Sequence, residues 1–225
     1  MLSHTHRTTP LPLNIKIDDK LLTEVQQIKF LGVILDNRLR WKPHIEDTQN
    51  KLFKIMGILY KIRNLCNAAC LKQLYLSLAY PYLFYCSAIW GGACKTYINS
   101  LVIAQKKLLR VITHSNRLAH THPIFRDLKV LKISDIIAYQ TLSFVYKSLN
   151  LYKVNNGFKL NTRHNISTRR INDLMIPLCK TAHDAQQGIL YRGSQIWNDA
   201  SQDLKALPLN SFKLKIKEKL LKHYS

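Results

Sequence analysis

The stretch PHIEDTQNKLFKIMGILYKIR, residues 43–63, sets the fold class of this sequence. Its apolar residues recur at spacings of three and four, which predicts one buried stripe on an α-helix. That stripe consists of Leu52, Ile55, Met56, Leu59 and Ile62. Pro43 suits a first helical turn, where a missing N–H costs no helical hydrogen bond. The opposite face is predicted to be basic and consists of Lys51, Lys54, Lys61 and Arg63.

Helical periodicity continues downstream, so residues 43–150 are predicted to form a helical bundle. The further helices are expected over 68–85, 97–114, 123–129 and 134–149. In the first of these, Pro81 should bend the axis. Its inward-facing residues are predicted to be Leu71, Leu74, Tyr75, Leu78 and Tyr82. In the helix over 97–114, one basic block lies mainly to one side of the apolar stripe and consists of Lys106, Lys107 and Arg110.

Upstream of the bundle the period changes to two. LNIKI (13–17) alternates apolar and polar residues, which predicts a strand, and Asp18-Asp19 predicts a turn into a second strand, KLLTEV (20–25). IKFLGVILD (28–36) is nearly all apolar, which predicts a third strand buried on both faces. Residues 13–42 are therefore expected to hold an antiparallel sheet of about three strands.

The two ends of the chain differ. Residues 1–12 are polar and predict a disordered tail, and residues 151–187 have weak periodicity and predict a linker. Residues 188–225 are helical again, with an apolar stripe of Phe212, Ile216, Leu220 and Tyr224. The predicted fold class is mostly α within α+β, in which a small N-terminal antiparallel β-sheet precedes a helical bundle and a C-terminal helical segment.

The charge of the chain is strongly positive. Lys and Arg number 34 against 13 Asp and Glu, a formal net charge of +21, and hydrophobic residues make up 47%. Such a charge repels itself unless a polyanion is near, which favours a nucleic-acid-facing protein over a small-molecule enzyme. The most apolar stretch, 71–92, holds Lys72 and Pro81 and predicts a core helix and no membrane span. Five cysteines without a signal peptide indicate an intracellular location, with nucleus and cytoplasm left open.

No catalytic constellation stands out. Metal-dependent nucleotidyl transfer needs two or three converging carboxylates. The adjacent pair near the N-terminal strands, Asp18-Asp19, is better interpreted as a hairpin turn, in which Asp is favoured. No GxSxG, HExxH or glycine-rich phosphate loop occurs. We therefore predict no catalytic residue in this chain.

Two Cys and His spacings fall in the range of zinc sites. They are Cys66-x3-Cys70 and Cys179-x3-His183, and the two pairs lie more than a hundred residues apart in a sequence of 225. We interpret them as free thiols, because unpaired cysteine usually behaves as a small hydrophobe. His120-x-His122 is interpreted as a loop or phosphate contact. No metal site is predicted.

The basic residues point to phosphates. They recur in blocks on the predicted helix faces, and a further block, Arg163, Arg169 and Arg170, falls in the predicted linker. Each phosphate that a Lys or Arg neutralises releases counterions, so such a surface binds RNA, DNA or an RNA–DNA hybrid without reading sequence. The C-terminal lysines add to this surface and are Lys213, Lys215, Lys217, Lys219 and Lys222.

Several collinear blocks resemble one family. KFLGVILDNRLRWKPHI (29–45), LYLSLAYPYLFYCSAIWGG (74–92) and LVIAQKKLLRVIT (101–113) are similar to segments that follow the catalytic palm in reverse transcriptases of non-LTR retrotransposons, jockey-like elements in particular. THPIFRDLKVLKISDI (121–136), YRGSQIWND (191–199) and LPLNSFKLKIKEKL (207–220) extend the resemblance in the same order.

The resemblance implies a role for each region. The strands would be the last palm hairpins, with a primer-grip turn at Phe30, Leu31, Gly32 and Val33 that cradles a primer terminus. The helices after Pro43 would be the thumb, which follows the template–primer duplex through its phosphates. Fingers, most of the palm and the paired catalytic Asp have no counterpart here, so Mg²⁺ would be required only by the missing palm. We therefore expect a truncated fragment of an RNA-directed DNA polymerase that is inactive alone.

Two alternatives stay open. The chain could be a domesticated module that binds nucleic acid or protein, or a partial gene model of an active polymerase. The predicted nucleic-acid contacts are Phe30, Leu31, Gly32, Lys51, Lys54, Lys61, Arg63, Lys106, Lys107 and Arg110.

Overall fold

Two β-hairpins open the described part of the chain. The computed structural model describes residues 15–151, 157–160, 173–178 and 188–224. β1 (Lys16–Ile17) pairs with β2 (Lys20–Leu21), and β3 (Gln27–Phe30) pairs with β4 (Val33–Asp36), both antiparallel. Each turn consists of two residues with positive φ, which suits the right-handed twist of a tight hairpin. These residues are Asp18-Asp19 (46° and 62°) and Leu31-Gly32 (46° and 82°).

The prediction of one buried strand over 28–36 is wrong, and so is the three-stranded sheet. The segment turns back at Leu31-Gly32, the two hairpins form separate two-stranded sheets, and all of β3 is exposed. The apolar run hid the turn, because Gly32 supplies one of the two positive φ angles and Leu31 gives no turn signal in sequence. Val33 is the residue of β4 that is fully buried.

Helices make up the rest, and the predicted fold class is confirmed. α1 covers Lys42–Ile62 and α2 Ala68–Leu74, and a π-helical turn over Tyr75–Ala79 leads into α3, Tyr80–Phe84. The bundle continues with α4 (Ser87–Trp90), α5 (Lys95–Ile112), α6 (Thr121–Leu128) and α7 (Ile133–Asn150). The predicted helix over 68–85 is therefore interrupted.

The π-helical turn explains why the predicted inward face of the helix over 68–85 is only partly buried. The N–H of Tyr80 bonds the carbonyl of Tyr75, a wider turn that rotates the face of the following helix. Leu71, before the wide turn, and Tyr75, its first residue, are buried as predicted. Leu78 and Tyr82 were predicted to face inward, but they are 40% and 42% exposed.

The main core lies between α1, α5 and the elements around them, and one polar side chain sits inside it. The Gln105 side chain is 1% exposed. Its Nε2 donates to the Tyr75 hydroxyl (3.0 Å) and the Leu131 carbonyl (2.9 Å), and its Oε1 accepts the N–H of Ile133 (3.0 Å). One amide thus joins three segments, with no polar atom of its own left unpaired.

The C-terminal helices pack onto α7. They are α8 (Ile189–Asn198), α9 (Gln202–Lys205) and α10 (Leu209–Lys222). The predicted apolar stripe of the last helix is confirmed, since Phe212 and Ile216 lie in a second core with Trp197 and Val145. Tyr224 reaches the main core, where its hydroxyl donates to the Asp135 carboxylate and accepts the N–H of Lys132 (2.8 Å).

The predicted tail, 1–12, lies outside the described residues, and so does most of the predicted linker, 151–187. Two described pieces of that linker pack together through a bridge between Leu160 and Leu174. Asp173 forms a buried ion pair with Lys205 of α9, with 3.3 Å between Oδ1 and Nζ.

Candidate nucleic-acid interface

A basic stripe runs along α1. Lys51, Lys54 and Lys61 lie at spacings of three and seven residues, so they share one side of the helix, with the exposed Ile58 between them. At 1.5 Å per residue the stripe is about 15 Å long. It therefore faces solvent over nearly three helical turns.

The four basic residues predicted at α1 differ in what they contact. The ammonium group of Lys51 lies 2.6 Å from the Asp47 carboxylate and 5.2 Å from the centre of the Tyr82 ring. The guanidinium of Arg63 stacks on Tyr60 at 4.3 Å. Within the described parts of the chain, Lys54 and Lys61 have no ion pair, so their charges remain available to a ligand.

The basic block of α5 lies on a helix that packs against α1. The Lys107 ammonium lies 5.7 Å from the centre of the Phe53 ring. Lys107 is exposed and Lys106 is half-buried. Lys107 therefore contacts the helix that carries the α1 stripe, through a ring that is not part of that stripe.

Arg110 has a structural role that the sequence did not indicate. Its Nε and Nη2 both donate to the Ala119 carbonyl, at 3.0 and 2.9 Å. The guanidinium thereby holds the loop between α5 and α6, and only its remaining N–H groups can face a phosphate.

The tip of the second hairpin lies next to α3. Phe30 and Leu31 are 60% and 73% exposed, and the Tyr85 hydroxyl donates to the Leu31 carbonyl at 2.7 Å. Tyr82, which contacts Lys51, lies three residues before Tyr85. The hairpin tip and the basic stripe of α1 therefore flank the same short helix. A side chain at Gly32 would have room, with 3.7 Å from a Cβ to the Tyr85 ring, but the φ of +82° would strain it.

Asp36 and His44 anchor this hairpin, and neither was among the predicted contacts. The Asp36 carboxylate accepts the N–H groups of Arg40 (3.0 Å) and Trp41 (2.9 Å). The Nδ1 of His44 accepts the N–H of Ile34 at 3.4 Å, and burial lowers the pKa of this imidazole. No periodicity signals such contacts, because each joins residues that belong to different elements.

The remaining predicted features are the first hairpin turn and the cysteine and histidine pairs. Asp18 and Asp19 form the exposed turn of the first hairpin, which confirms their interpretation as turn residues. In residues 15–151, 157–160, 173–178 and 188–224, no three Cys, His, Asp or Glu side chains converge on a metal position. Cys66 is half-buried and Cys70 exposed, and the ring of the exposed His122 contacts Tyr224. Outside the described residues lie Arg163, Arg169, Arg170, Cys179 and His183.

Across the described ranges, every helix is too short or too polar to cross a bilayer.

Comparison with known proteins gives consistent relatives. The chain is 32% identical over 165 residues to the RNA-directed DNA polymerase from mobile element jockey of Drosophila melanogaster, which covers 72% of the chain and 18% of that protein. It is 33% identical over 126 residues to the jockey enzyme of Drosophila funebris (55% and 14%). The probable RNA-directed DNA polymerase from transposon BS of Drosophila melanogaster is 25% identical over 166 residues (72% and 17%).

The chain therefore aligns with less than a fifth of the length of these relatives. No protein-family model and no solved structure matches the chain. The resemblance to the polymerases of jockey-like non-LTR elements is confirmed.

Proposed function

We propose that this chain, a homologue of the RNA-directed DNA polymerases of jockey-like non-LTR retrotransposons, holds a nucleic-acid duplex by its phosphates and does not itself join nucleotides. The observation that carries the proposal is the exposed basic stripe of α1, in which Lys51 contacts Tyr82, three residues before the Tyr85 that bonds the exposed hairpin tip. α1 and the helices after it would act as the thumb of the parent polymerase. RNA, DNA and an RNA–DNA hybrid are all candidate ligands.

The chemistry of the stripe favours binding without sequence selection. Lys54, Lys61 and Lys107 present ammonium groups on flexible stems, and these neutralise phosphates but do not read base edges. Arg63 and Lys51 already contact aromatic rings, which directs their charges along the helix surface. The turn at Phe30, Leu31 and Gly32 would contact the end of a strand. Lys106 and Arg110 would add weaker contacts, because both are half-buried.

We further propose that these 225 residues hold no polymerase centre. Two-metal nucleotidyl transfer needs converging carboxylates. Asp18 and Asp19 lie instead in an exposed turn. On this proposal the chain needs no cofactor of its own, and Mg²⁺ belongs to the palm of the parent enzyme.

The hairpins suggest where that palm would pack. Ile17, Leu21 and Ile28 are 58%, 59% and 47% exposed, although such residues usually lie in a core. Ile17 pairs with Lys20 and Leu21 with Lys16. The two apolar side chains therefore lie on opposite faces of the first hairpin, and Ile28 lies in the other sheet. Exposed apolar side chains on both hairpins favour surfaces that another protein covers. We propose that the palm of the parent polymerase covers them.

A salt titration tests the binding. Purified full-length chain is titrated with an RNA–DNA hybrid at several salt concentrations, and Mg²⁺-dependent primer extension is measured in the same samples. With about four phosphates neutralised, we expect log K to fall against log salt with a slope of about −3 to −4. No extension is expected. Extension, or a folded protein that does not bind, would contradict the proposal.

Paired variants test whether the stripe is the binding surface. Lys54→Gln with Lys61→Gln should weaken binding and make the slope shallower by about 2, one unit for each lost phosphate contact. Lys95→Gln with Lys129→Gln removes the same charge from exposed positions at the start of α5 and just after α6. If both pairs weaken binding equally, net charge and not the stripe of α1 determines it.

A further inference from the structure

The exposed turn of the second hairpin has a fixed backbone. The side chains of Phe30 and Leu31 point away from the protein, yet the Leu31 carbonyl accepts the hydroxyl of Tyr85 at 2.7 Å. Exposed turns usually bond to water. A hydrogen bond from a residue 54 positions later is therefore a specific attachment.

Tyr85 is itself held in place. Its N–H bonds the Pro81 carbonyl at 2.9 Å, and its own carbonyl accepts the indole N–H of Trp90 at 2.7 Å. Trp90 is completely buried. The hydroxyl that holds the turn is thus connected through one residue to the largest side chain of the core.

A second attachment leads back to the same tryptophan. Phe30 and Val33 flank the two-residue turn as a hydrogen-bonded pair, so the next residue, Ile34, points its N–H away from β3. His44 Nδ1 accepts that N–H at 3.4 Å, and the His44 ring lies 5.8 Å from the Trp90 ring. Tyr85 thus bonds the turn, His44 bonds the edge of β4, and both residues contact Trp90.

We infer that Tyr85 is a positioning residue, whose hydroxyl sets the exposed turn at the place where the nucleic-acid strand ends. The inference rests on the proposed function, because it assumes that this turn contacts nucleic acid. A turn with a fixed backbone and exposed side chains can contact a ligand without first being ordered. The phosphate contacts of α1 and α5 do not depend on this hydroxyl, so overall affinity and the contact at the strand end are separable.

The experiment uses the full chain and a hybrid whose recessed DNA 3′ end carries 2-aminopurine. Anisotropy measures affinity, and 2-aminopurine fluorescence reports the contact at the strand end. Tyr85→Phe should keep the affinity within about twofold, since the phosphate contacts remain, while the fluorescence change falls by about half or more. Tyr97→Phe is the matched control, since it removes one tyrosine hydroxyl from α5 and leaves the hydrogen bond to the turn in place, and both signals should stay unchanged.

Gly32→Ala provides a second variant that leaves Tyr85 intact. Its φ of +82° is strained for alanine, so the turn should shift and reduce the same fluorescence change. Thermal melting checks that each variant is folded.

Each outcome decides a different point. A full fluorescence change in folded Tyr85→Phe would overturn the inference. Binding by the wild-type chain without any fluorescence change would also overturn it, while the proposed phosphate binding would stand. A folded wild-type chain that does not bind the hybrid would reject the proposed function and the inference with it.

Discussion

The helical bundle buries a core of apolar side chains, whereas the two N-terminal hairpins leave most of theirs exposed. In the bundle, Leu52, Leu59 and Leu108 are almost completely buried, whereas Ile17 and Leu21 of the first hairpin are more than half exposed. A two-stranded hairpin has no second layer against which to bury its apolar face. The difference teaches that the bundle is stabilised by its own packing, while the first hairpin leaves its apolar side chains on the surface.

The largest effect should come from the buried amide of the bundle. Gln105→Leu removes the partners of the Tyr75 hydroxyl, the Leu131 carbonyl and the Ile133 N–H. Each buried polar group left unpaired costs about 1–3 kcal/mol, so we expect a loss of about 3–5 kcal/mol in the free energy of unfolding. Urea unfolding measures it. Gln73→Leu, on the exposed side of α2, should change stability by less than about 0.5 kcal/mol.

Close packing of α4 on α7 gives the next effect. A Cβ at Gly91 would meet the Ser87 carbonyl and lie 2.5 Å from Ile137 Cγ2. Gly91→Ala should therefore cost about 1–3 kcal/mol through overpacking. Gly57, within α1, has no atom within 4 Å of its Cβ position, so Gly57→Ala should stabilise by about 0.5–1 kcal/mol. Equal effects of the two substitutions in thermal melts would contradict this account.

A smaller, pH-dependent effect is expected where the hairpin meets the bundle. Burial lowers the pKa of His44 below that of a free histidine. Between the lowered pKa and about 6.5 the unfolded chain binds more protons than the folded chain, so stability should fall as pH falls through that range. Denaturant melts at several pH values measure it. His44→Asn should flatten the profile, whereas His223→Gln, an exposed position, should leave it unchanged.

The smallest effect belongs to the first hairpin. Ile17→Ser with Leu21→Ser should alter the free energy of unfolding by less than about 0.5 kcal/mol, because both side chains are already exposed. Leu52→Ala in the bundle is the contrast and should cost about 2–5 kcal/mol. Marked destabilisation by the hairpin variant would show that the hairpin contributes to the core, and the comparison between the two regions would fail.

The sequence predicted the features that follow from the spacing of apolar residues, namely the helices and their buried faces. The helix expected from Pro43 begins at Lys42, and the stripe of Phe212 and Ile216 is buried, because amphipathic spacing reflects which face meets a core. Periodicity missed the turn at Leu31-Gly32, which the resemblance implied, because a run of apolar residues has the same pattern whether it continues or folds back. The wide turn before Pro81 was missed for a related reason, since one extra residue in a turn leaves composition unchanged.

The residues of the candidate interface likewise divide into those that the sequence pattern indicated and those that it did not. Basic spacing indicated Lys54 and Lys61, which share a face of α1. The spacing could not indicate that Arg110 holds a loop or that Tyr85 bonds Leu31. Each of these contacts joins residues of different elements, and a local sequence pattern does not show which elements lie together. Such contacts follow from the packing of helices, which the pattern of any one helix leaves open.

Tyr224 has a consequence for the order in which the chain folds. Its hydroxyl bonds Asp135 and the N–H of Lys132, residues 89 and 92 positions earlier. Contacts of such sequence separation close large loops and form late. During synthesis, the junction of α6 and α7 must therefore wait with these polar groups in water until α10 has been made and has docked. The hydrogen bonds of Tyr224 can form only after translation has passed residue 224.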